Sequence, residues 1–206
     1  MEIPTAAAEL ETLKFLMPRV VLASGSPNRL ELLRSAGIEV VVRPQDVVED
    51  EPSGAPGPAV LSIARKKLES YIKSDGFDPN ATALCLDTLV YFQGRFLGKP
   101  KDEEEALSEI YSFAGKRQEV YSGYCIYHPY KGILEGFDRS YVVFKSLTSE
   151  QAKEYVDTGE WKGAAGGYRI QKTGYRLIDH IEGSWTNVIG LPVEAISHAL
   201  ESSDET

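Results

Sequence analysis

The sequence predicts an α/β protein built on a mixed β-sheet. Strand-like apolar runs alternate with helical patterns in the first half of the chain, and two long strand-like runs then follow each other as a hairpin. The 206 residues suffice for one compact domain or for one domain with two lobes, and 42% of them are hydrophobic. No run approaches the roughly 20 apolar residues of a membrane span.

Each element follows from its periodicity and from the turn residues beside it. In chain order we predict strand 19–23, helix 27–36, strand 38–43, helix 58–73, strand 82–92, helix 102–114, strands 117–128 and 133–146, helix 149–157 and a last helix after Pro192. We expect a single domain over 19–200. An extension at 1–18, able to form a short helix over the core, precedes it, and a disordered tail at 201–206 follows it.

The charge balance argues against binding to nucleic acid or to an anionic membrane. The chain has 22 basic and 31 acidic residues, a net charge of −9, whereas such binding needs a basic face. A small phosphorylated ligand stays compatible, because a few lysines in a cleft reverse the local potential. The N-terminal stretch has glutamates where a signal peptide would have basic residues, so it does not resemble a signal peptide. The two cysteines, Cys85 and Cys125, are too few for a disulfide framework or a zinc site. We expect a cytoplasmic protein in which Cys85 is a buried thiol.

The stretch VVLASGSPNRLELLRSAGI, residues 20–38, is typical of a strand, a turn and a helix. Ser26 suits the N-cap and Pro27 suits the first helical position. Such a turn directs backbone N–H groups and the positive end of the helix dipole outward, which favours an anion. The hydroxyls of Ser24 and Ser26 and the guanidinium of Arg29 add donors for a phosphate. Capping alone is the alternative explanation of Ser26 and Pro27.

The next two elements contain a candidate pair of opposite charges. Asp87 and Thr88 interrupt the strand 82–92, whose continuous apolar runs indicate burial on both faces. A carboxylate there needs a cation, a metal or hydrogen-bond donors, because an unpaired buried charge is costly. On the helix 58–73, Lys67 lies at the edge of the apolar stripe and either extends to water or reaches a buried anion. A structural aspartate and a solvated lysine are the alternatives to a functional site.

Two later stretches add candidate ligand-binding residues. Gly98 and Pro100 form a tight loop around Lys99, which either meets a phosphate or stays exposed. The stretch 161–192 is long and rich in glycine and aromatic residues, and such loops are more often functional than not. Its small residues let the backbone approach a flat ligand, and the amide of Gln171 can pair with a base edge. A well-packed irregular loop is the alternative.

Together these pieces resemble the Maf family of nucleoside triphosphate pyrophosphatases, the septum-formation-protein homologues. The resemblance runs from about Arg19 to Ala195, through LASGSPNRLELL, ARKK, LDTLVYFQGRFLGKPKDEEEA, SLTSEQAKEYVDTGEW, GAAGGYRIQ and EGSWTNVIGLP. It implies an elongated mixed-sheet fold of the inosine-triphosphatase type, with two lobes and a central cleft. It also implies cleavage of a nucleoside triphosphate to a monophosphate and pyrophosphate, with Mg²⁺ or Mn²⁺. A homodimer is the assembly common in the family.

By the same resemblance, Asp87 matches the proton acceptor that activates the attacking water. The residues that match polar groups around the phosphates are Ser24, Arg29, Lys67 and Lys99, beside the turn serine Ser26. Glu49 aligns with a second cleft acid that helps hold the metal. Such a set neutralises the leaving pyrophosphate and keeps a carboxylate base ionised.

Three positions bear on the preferred base. Thr88 and Gln171 match the family members that resemble dTTP/UTP pyrophosphatases. At the third position this chain has Asn28, where the dTTP/UTP members have arginine and the 7-methyl-GTP members have an aromatic residue. Because asparagine lacks the charged fork of arginine, we expect the same reaction with a weaker or broader base preference. A 7-methyl-GTP pyrophosphatase is one alternative. A non-catalytic nucleotide-binding regulator of cell division and a nucleotidyl or sugar-phosphate transferase are the others.

Overall fold

The computed structural model describes residues 6–47 and 51–202, and within them it has seven α-helices and seven strands. The helices are α1 (Ala7–Leu16), α2 (Pro27–Ser35), α3 (Pro56–Ile72), α4 (Glu103–Ser112), α5 (Ser149–Asp157), α6 (Trp185–Val188) and α7 (Val193–Ser202). The strands are β1 (Arg19–Leu22), β2 (Glu39–Val42), β3 (Ala83–Phe92), β4 (Arg95–Leu97), β5 (Arg117–His128), β6 (Gly132–Phe144) and β7 (Ile178–Glu182). Short 3₁₀ helices lie at Ala165–Gly167 and Thr173–Leu177.

The predicted α/β class with a mixed sheet is confirmed. The described strands are ordered β2-β1-β3-β5-β6-β7, and β4 pairs with β3. β1 is parallel to both β2 and β3, whereas β4 is antiparallel to β3 and β7 is antiparallel to β6. β4, β7 and α6 are too short to give a periodic signal and were not predicted. No described helix is long and apolar enough to cross a membrane.

The chain divides into two compact units. The N-terminal unit contains the described residues up to Thr88, together with Tyr121–Asp138 and the residues from Trp185 onward. The central unit contains Leu89–Val120 and Arg139–Ser184. α1, in the predicted extension, belongs to the N-terminal unit and packs against α7. α7 includes the first two residues of the predicted tail, 201–206. The remaining tail residues, 203–206, lie outside the described part of the chain.

In the N-terminal unit, β3 is buried on both faces, as predicted from its apolar runs. Because side chains alternate along a strand, Leu84 and Leu86 pack in the cluster that contains residues of α1, α2 and α7. Ala83 and Cys85 pack in the opposite cluster with residues of α3. The same alternation directs Asp87, an odd-numbered residue, towards α3.

The apolar stripe of α3 lies where its period predicts. Val60, Ala64, Leu68 and Tyr71 are all buried. The helix backbone comes very near β5, since a Cβ at Gly123 would lie only 2.8 Å from the carbonyl oxygen of Val60. The two cysteines beneath this helix, Cys85 and Cys125, are buried free thiols, and burial raises the pKa of each to about 12.

Candidate functional site

The turn between β1 and α2 contains the first group of predicted ligand-binding residues. α2 begins at Pro27, with Ser26 at the N-cap position, as the sequence predicts. Within the described part of the chain, the Ser26 side chain makes no capping hydrogen bond, and its backbone N–H donates to Ser24 Oγ at 3.3 Å. The half-buried Ser26 hydroxyl can therefore donate to a ligand, which is consistent with the predicted phosphate-binding role.

Arg29 organises this turn. Its side chain is buried, and its guanidinium donates to Gly190 O at 2.8 Å, Ser24 Oγ at 2.8 Å, Leu86 O at 3.0 Å and Thr88 Oγ1 at 2.9 Å. Four of the five guanidinium N–H groups are thus directed at oxygens of the protein. Arg29 holds the turn, β3 and the segment before α7 in register. A phosphate contact of Arg29 would have to share the guanidinium with these protein oxygens, and it stays a prediction.

The hydroxyl of Thr88 lies in a chain of hydrogen bonds whose direction is fixed at both ends. Arg29 has only donors, so Thr88 Oγ1 accepts from it. At the other end, Ser122 Oγ donates to the carbonyl oxygen of Asn187 at 2.9 Å. The 2.9 Å contact between the two hydroxyls is therefore a donation from Thr88 to Ser122. The hydroxyl proton of Thr88 is therefore used in the bond to Ser122, and one lone pair of Oγ1 is used in the bond from Arg29. The second lone pair can accept a hydrogen bond from a ligand.

Ser24 has the opposite polarity. Its Oγ accepts from Arg29 Nη1 and from the backbone N–H of Ser26, which occupies both lone pairs. Its proton therefore points away from both donors and is available to an acceptor, such as a phosphate oxygen. Although Ser24 is only 7% exposed, the hydroxyl lies at the open end of β1, before the turn.

Asp87 and Lys67 form a close ion pair. Lys67 Nζ lies 2.6 Å from Asp87 Oδ1, and the side chains of Lys67 and Asp87 are 12% and 13% exposed, respectively. Either charge alone would be costly at this depth, whereas in the pair each charge offsets the other. The structure thus brings together the two residues that the sequence analysis presents as a candidate pair of opposite charges.

Lys99 belongs to the central unit, in the loop between β4 and α4. Its side chain is exposed, while the backbone on either side is anchored: Gly98 O accepts from Gly166 N at 2.9 Å, and Asp102 caps α4 by accepting from Glu105 N at 2.9 Å. The Lys99 ammonium group therefore extends from a fixed loop into solvent, where an anionic ligand can reach it.

Gln171 also belongs to the central unit, on a loop fixed by its neighbours. Arg169 Nε donates to Glu160 O at 3.1 Å, and Arg169 O accepts from Lys172 N at 3.0 Å. Glu160 Oε2 accepts from both the backbone N–H and the hydroxyl of Thr173, at 3.0 Å and 2.8 Å. These bonds on both sides of the half-buried Gln171 hold its backbone in place and leave its amide to a ligand.

Two predicted residues remain less constrained by the structure. Asn28 is half-buried in the first turn of α2, next to Arg29. Glu49 lies outside the described residues, so its predicted metal-binding role stays a prediction.

The described residues contain no group of three or more His, Cys, Asp or Glu side chains that could hold a metal alone. Mg²⁺ does not require one, because it is often held by one or two carboxylates together with substrate phosphates. The hard oxygen ligands of Asp87 fit this arrangement. A bound ion would neutralise charge on a leaving pyrophosphate.

Sequence reasoning missed several residues that order the site. Ser122 and Gly190 complete the network around Thr88 and Arg29. A Cβ at Gly190, whose φ is +98°, would lie 3.0 Å from Thr88 Oγ1 and 3.1 Å from Arg29 Nε, which explains why a glycine stands there. Its presence in the motif EGSWTNVIGLP was the available signal, but no pattern revealed its partners.

Comparison with known proteins identifies the family of this chain. Residues 19–203 match the family model described as "Maf-like protein". A dTTP/UTP pyrophosphatase of Pyrococcus furiosus is 39% identical over 185 residues, which cover 90% of this chain and 95% of that protein. A dTTP/UTP pyrophosphatase of Deinococcus radiodurans is 35% identical over 186 residues, covering 90% and 93%.

Among solved structures, the Staphylococcus aureus Ham1 protein covers 89% of this chain and 98% of its own, at 16% identity and a TM-score of 0.45. Because the family model spans almost the whole described chain and relatives match along nearly their full length, this chain belongs to the Maf-like protein family.

Proposed function

We propose that this protein is a nucleoside triphosphate pyrophosphatase that acts on dTTP and UTP. It would hydrolyse the anhydride between the α and β phosphates, releasing a nucleoside monophosphate and pyrophosphate. The observation that supports this most directly is the buried ion pair of Lys67 and Asp87, in a chain whose family relatives include dTTP/UTP pyrophosphatases.

The pair suits the first chemical step. Asp87, kept ionised by Lys67, takes a proton from a water molecule whose oxygen bonds to the α-phosphorus. The bond from that phosphorus to the bridging oxygen breaks, and the electron pair leaves with pyrophosphate. The donors proposed for the phosphate oxygens are the hydroxyls of Ser24 and Ser26 and the ammonium group of Lys99. Mg²⁺ or Mn²⁺ is the proposed cofactor, with Asp87 and Glu49 as the proposed protein ligands.

The polarity of Thr88 supports a uracil or thymine base. Both bases have an N–H at ring position 3, whereas cytosine has a bare nitrogen there. Thr88 Oγ1 can accept a hydrogen bond from the N–H of uracil or thymine. It has no proton to donate to the bare nitrogen of cytosine, so cytosine is disfavoured. Gln171 is the proposed second contact with the base. Asn28 replaces a charged contact and would widen the choice of nucleotide.

The test compares the wild type with Asp87→Asn for pyrophosphate release with Mg²⁺ from dTTP, UTP, CTP, GTP and 7-methyl-GTP. We expect the substitution to reduce the rate by about a hundredfold or more, because it removes the general base and keeps the shape. Asp75→Asn, at an exposed aspartate of the same unit, is the matched control and should retain full activity.

Three results would contradict the proposal. Nucleotide binding without turnover by the wild type would favour the non-catalytic regulator, and a higher rate on 7-methyl-GTP would favour that substrate. Product that appears only when an acceptor is added would favour a transferase. The expected homodimer and the expected cytoplasmic location are separate proposals, and gel filtration with light scattering tests the first.

A further inference from the structure

The central unit contains a cavity of about 300 Å³, and none of the predicted nucleotide-binding residues that the structure describes lines it. Its walls are the loop 145–147, one face of α5 and the segment 173–177. Lys99 and Gln171 are the two predicted site residues of this unit, and neither lines the cavity. A volume of this size is at the lower end of the range for small-molecule sites, about 300–1,000 Å³.

The wall formed by α5 is regular and well fixed. Gln151, Glu154, Tyr155 and Thr158 line the cavity, and their spacing of three and four residues places them on one face of the helix. A capping box between Thr148 and Gln151 fixes the first turn of this helix. One wall of the cavity is therefore a capped helix, and the loop 145–147 and the segment 173–177 form the others.

The floor of the cavity is apolar and neutral. Tyr155 and Leu177 are buried, and the half-buried Leu147 lies beside them. The hydroxyl of Tyr155 accepts from the backbone N–H of Arg169 at 3.0 Å, which holds the ring in place. Burial raises the pKa of Tyr155 to about 12, so the phenol adds no negative charge at neutral pH.

The rim of the cavity is cationic in a protein whose net charge is −9. Lys145 and Arg176 are both exposed, and Lys145 Nζ donates to the backbone carbonyl of Arg176 at 3.1 Å. That bond holds the ammonium group of Lys145 at the backbone of Arg176, and both residues line the cavity. Glu154, an exposed residue that also lines the cavity, has a single negative charge and offsets only one of the two positive charges.

We propose that this cavity binds a small organic anion, with a single ring on Tyr155 and Leu177 and a carboxylate or phosphate group at Lys145 and Arg176. The ring gains apolar burial, and the anion receives charge-assisted hydrogen bonds from both cations. A neutral ring of the same size would lose those bonds, and inorganic phosphate would lose the apolar contact. The inference does not depend on the proposed nucleotide chemistry.

The experiment uses the full chain and ¹⁹F NMR. The probe is 4-(trifluoromethyl)benzoate, the neutral comparison is 4-(trifluoromethyl)benzyl alcohol, and phenyl phosphate is the competitor that distinguishes a phosphate ester from a carboxylate. We expect saturable binding of the benzoate and not of the alcohol. Arg176→Ala and Lys145→Ala should each weaken binding by about tenfold, as expected for the loss of one charge-assisted bond.

Two further variants keep the test sharp. Lys153→Ala removes an exposed lysine of the same helix that pairs with Asp157 at 2.7 Å and does not line the cavity, so binding should be unchanged. Ser146→Trp, at an exposed loop position, should occlude the cavity and abolish binding. Three results would overturn the proposal. The alcohol could bind as tightly as the benzoate, or Arg176→Ala and Lys145→Ala could leave binding of the benzoate unchanged. A non-hydrolysable UTP analogue could also displace the probe.

Discussion

Arg29 and Thr88 are joined by a hydrogen bond of 2.9 Å from Nη2 to Oγ1, and that bond determines what Thr88 can offer to a ligand. A hydroxyl can usually rotate to donate or to accept. Here its proton is committed to Ser122, because Arg29 cannot accept and Ser122 already donates to a backbone carbonyl. The arginine thus fixes the polarity of a neighbouring side chain.

Thr88→Val tests that polarity. Valine has nearly the same shape and no acceptor, so kcat/KM for UTP and dTTP should fall by about tenfold, while kcat/KM for CTP changes little. Thr88→Ser keeps the hydroxyl and serves as the control. Steady-state pyrophosphate release on the three nucleotides measures the effect. A loss of equal size on CTP would show that Thr88 does not read the base.

Arg29→Lys tests the organising role. Lysine has a single ammonium group that cannot match four acceptors in the plane of a guanidinium, so several buried oxygens lose their donor. We expect a loss of about 3 kcal/mol in the free energy of unfolding and a lower kcat/KM on every nucleotide by a similar factor. Urea denaturation and the same kinetic assay give both values. Arg34→Lys, at an exposed position of the same helix, should change neither. A normal unfolding midpoint with activity lost would instead favour direct contact of Arg29 with phosphate.

The sequence predicted the Lys67 and Asp87 site for reasons that are local. A helical stripe located the lysine, an interrupted apolar strand located the acid, and strand alternation then directs the acid at the helix. Arg29 could not be understood in that way. Its partners Gly190 and Leu86 are 161 and 57 residues away in the sequence. Both contacts are to backbone carbonyl oxygens, which every residue has, so the pattern of side chains cannot predict them. The same limit applies to β7 and the loop around Gln171, where tertiary hydrogen bonds, not periodicity, decide the path of the chain.

Gly174→Ala tests whether the loop that contains Gln171 must be tightly closed. A Cβ at residue 174 would lie 2.5 Å from the carbonyl oxygen of Arg169, so the backbone has to move. We expect a loss of about 1–3 kcal/mol in the free energy of unfolding. We also expect a raised KM for UTP, because the side-chain amide of Gln171 shifts together with the loop. Gly76→Ala is the control, because a Cβ there meets only side-chain atoms, the nearest at 3.6 Å. An unchanged KM would remove Gln171 from the proposed base contacts.

Glu109→Gln tests a half-buried carboxyl group of α4. Glu109 Oε2 is buried with no hydrogen-bond partner among the described residues, and burial is the main cause that raises the pKa of this carboxyl group above its ordinary value. Between its unfolded and folded pKa, the folded state binds more protons than the unfolded state. The contribution of Glu109 to stability therefore falls as the pH rises through that window and is absent below the unfolded pKa, where both states are protonated.

Glutamine mimics the protonated acid and does not titrate. Urea unfolding at about pH 4 should give nearly equal free energies for the wild type and Glu109→Gln, and at about pH 7 the variant should be the more stable. Glu104→Gln, at an exposed position of the same helix, should show no such pH-dependent gain. If the gap between the wild type and Glu109→Gln stays constant across this range, the carboxyl group titrates alike in both states, and its burial does not disfavour ionisation.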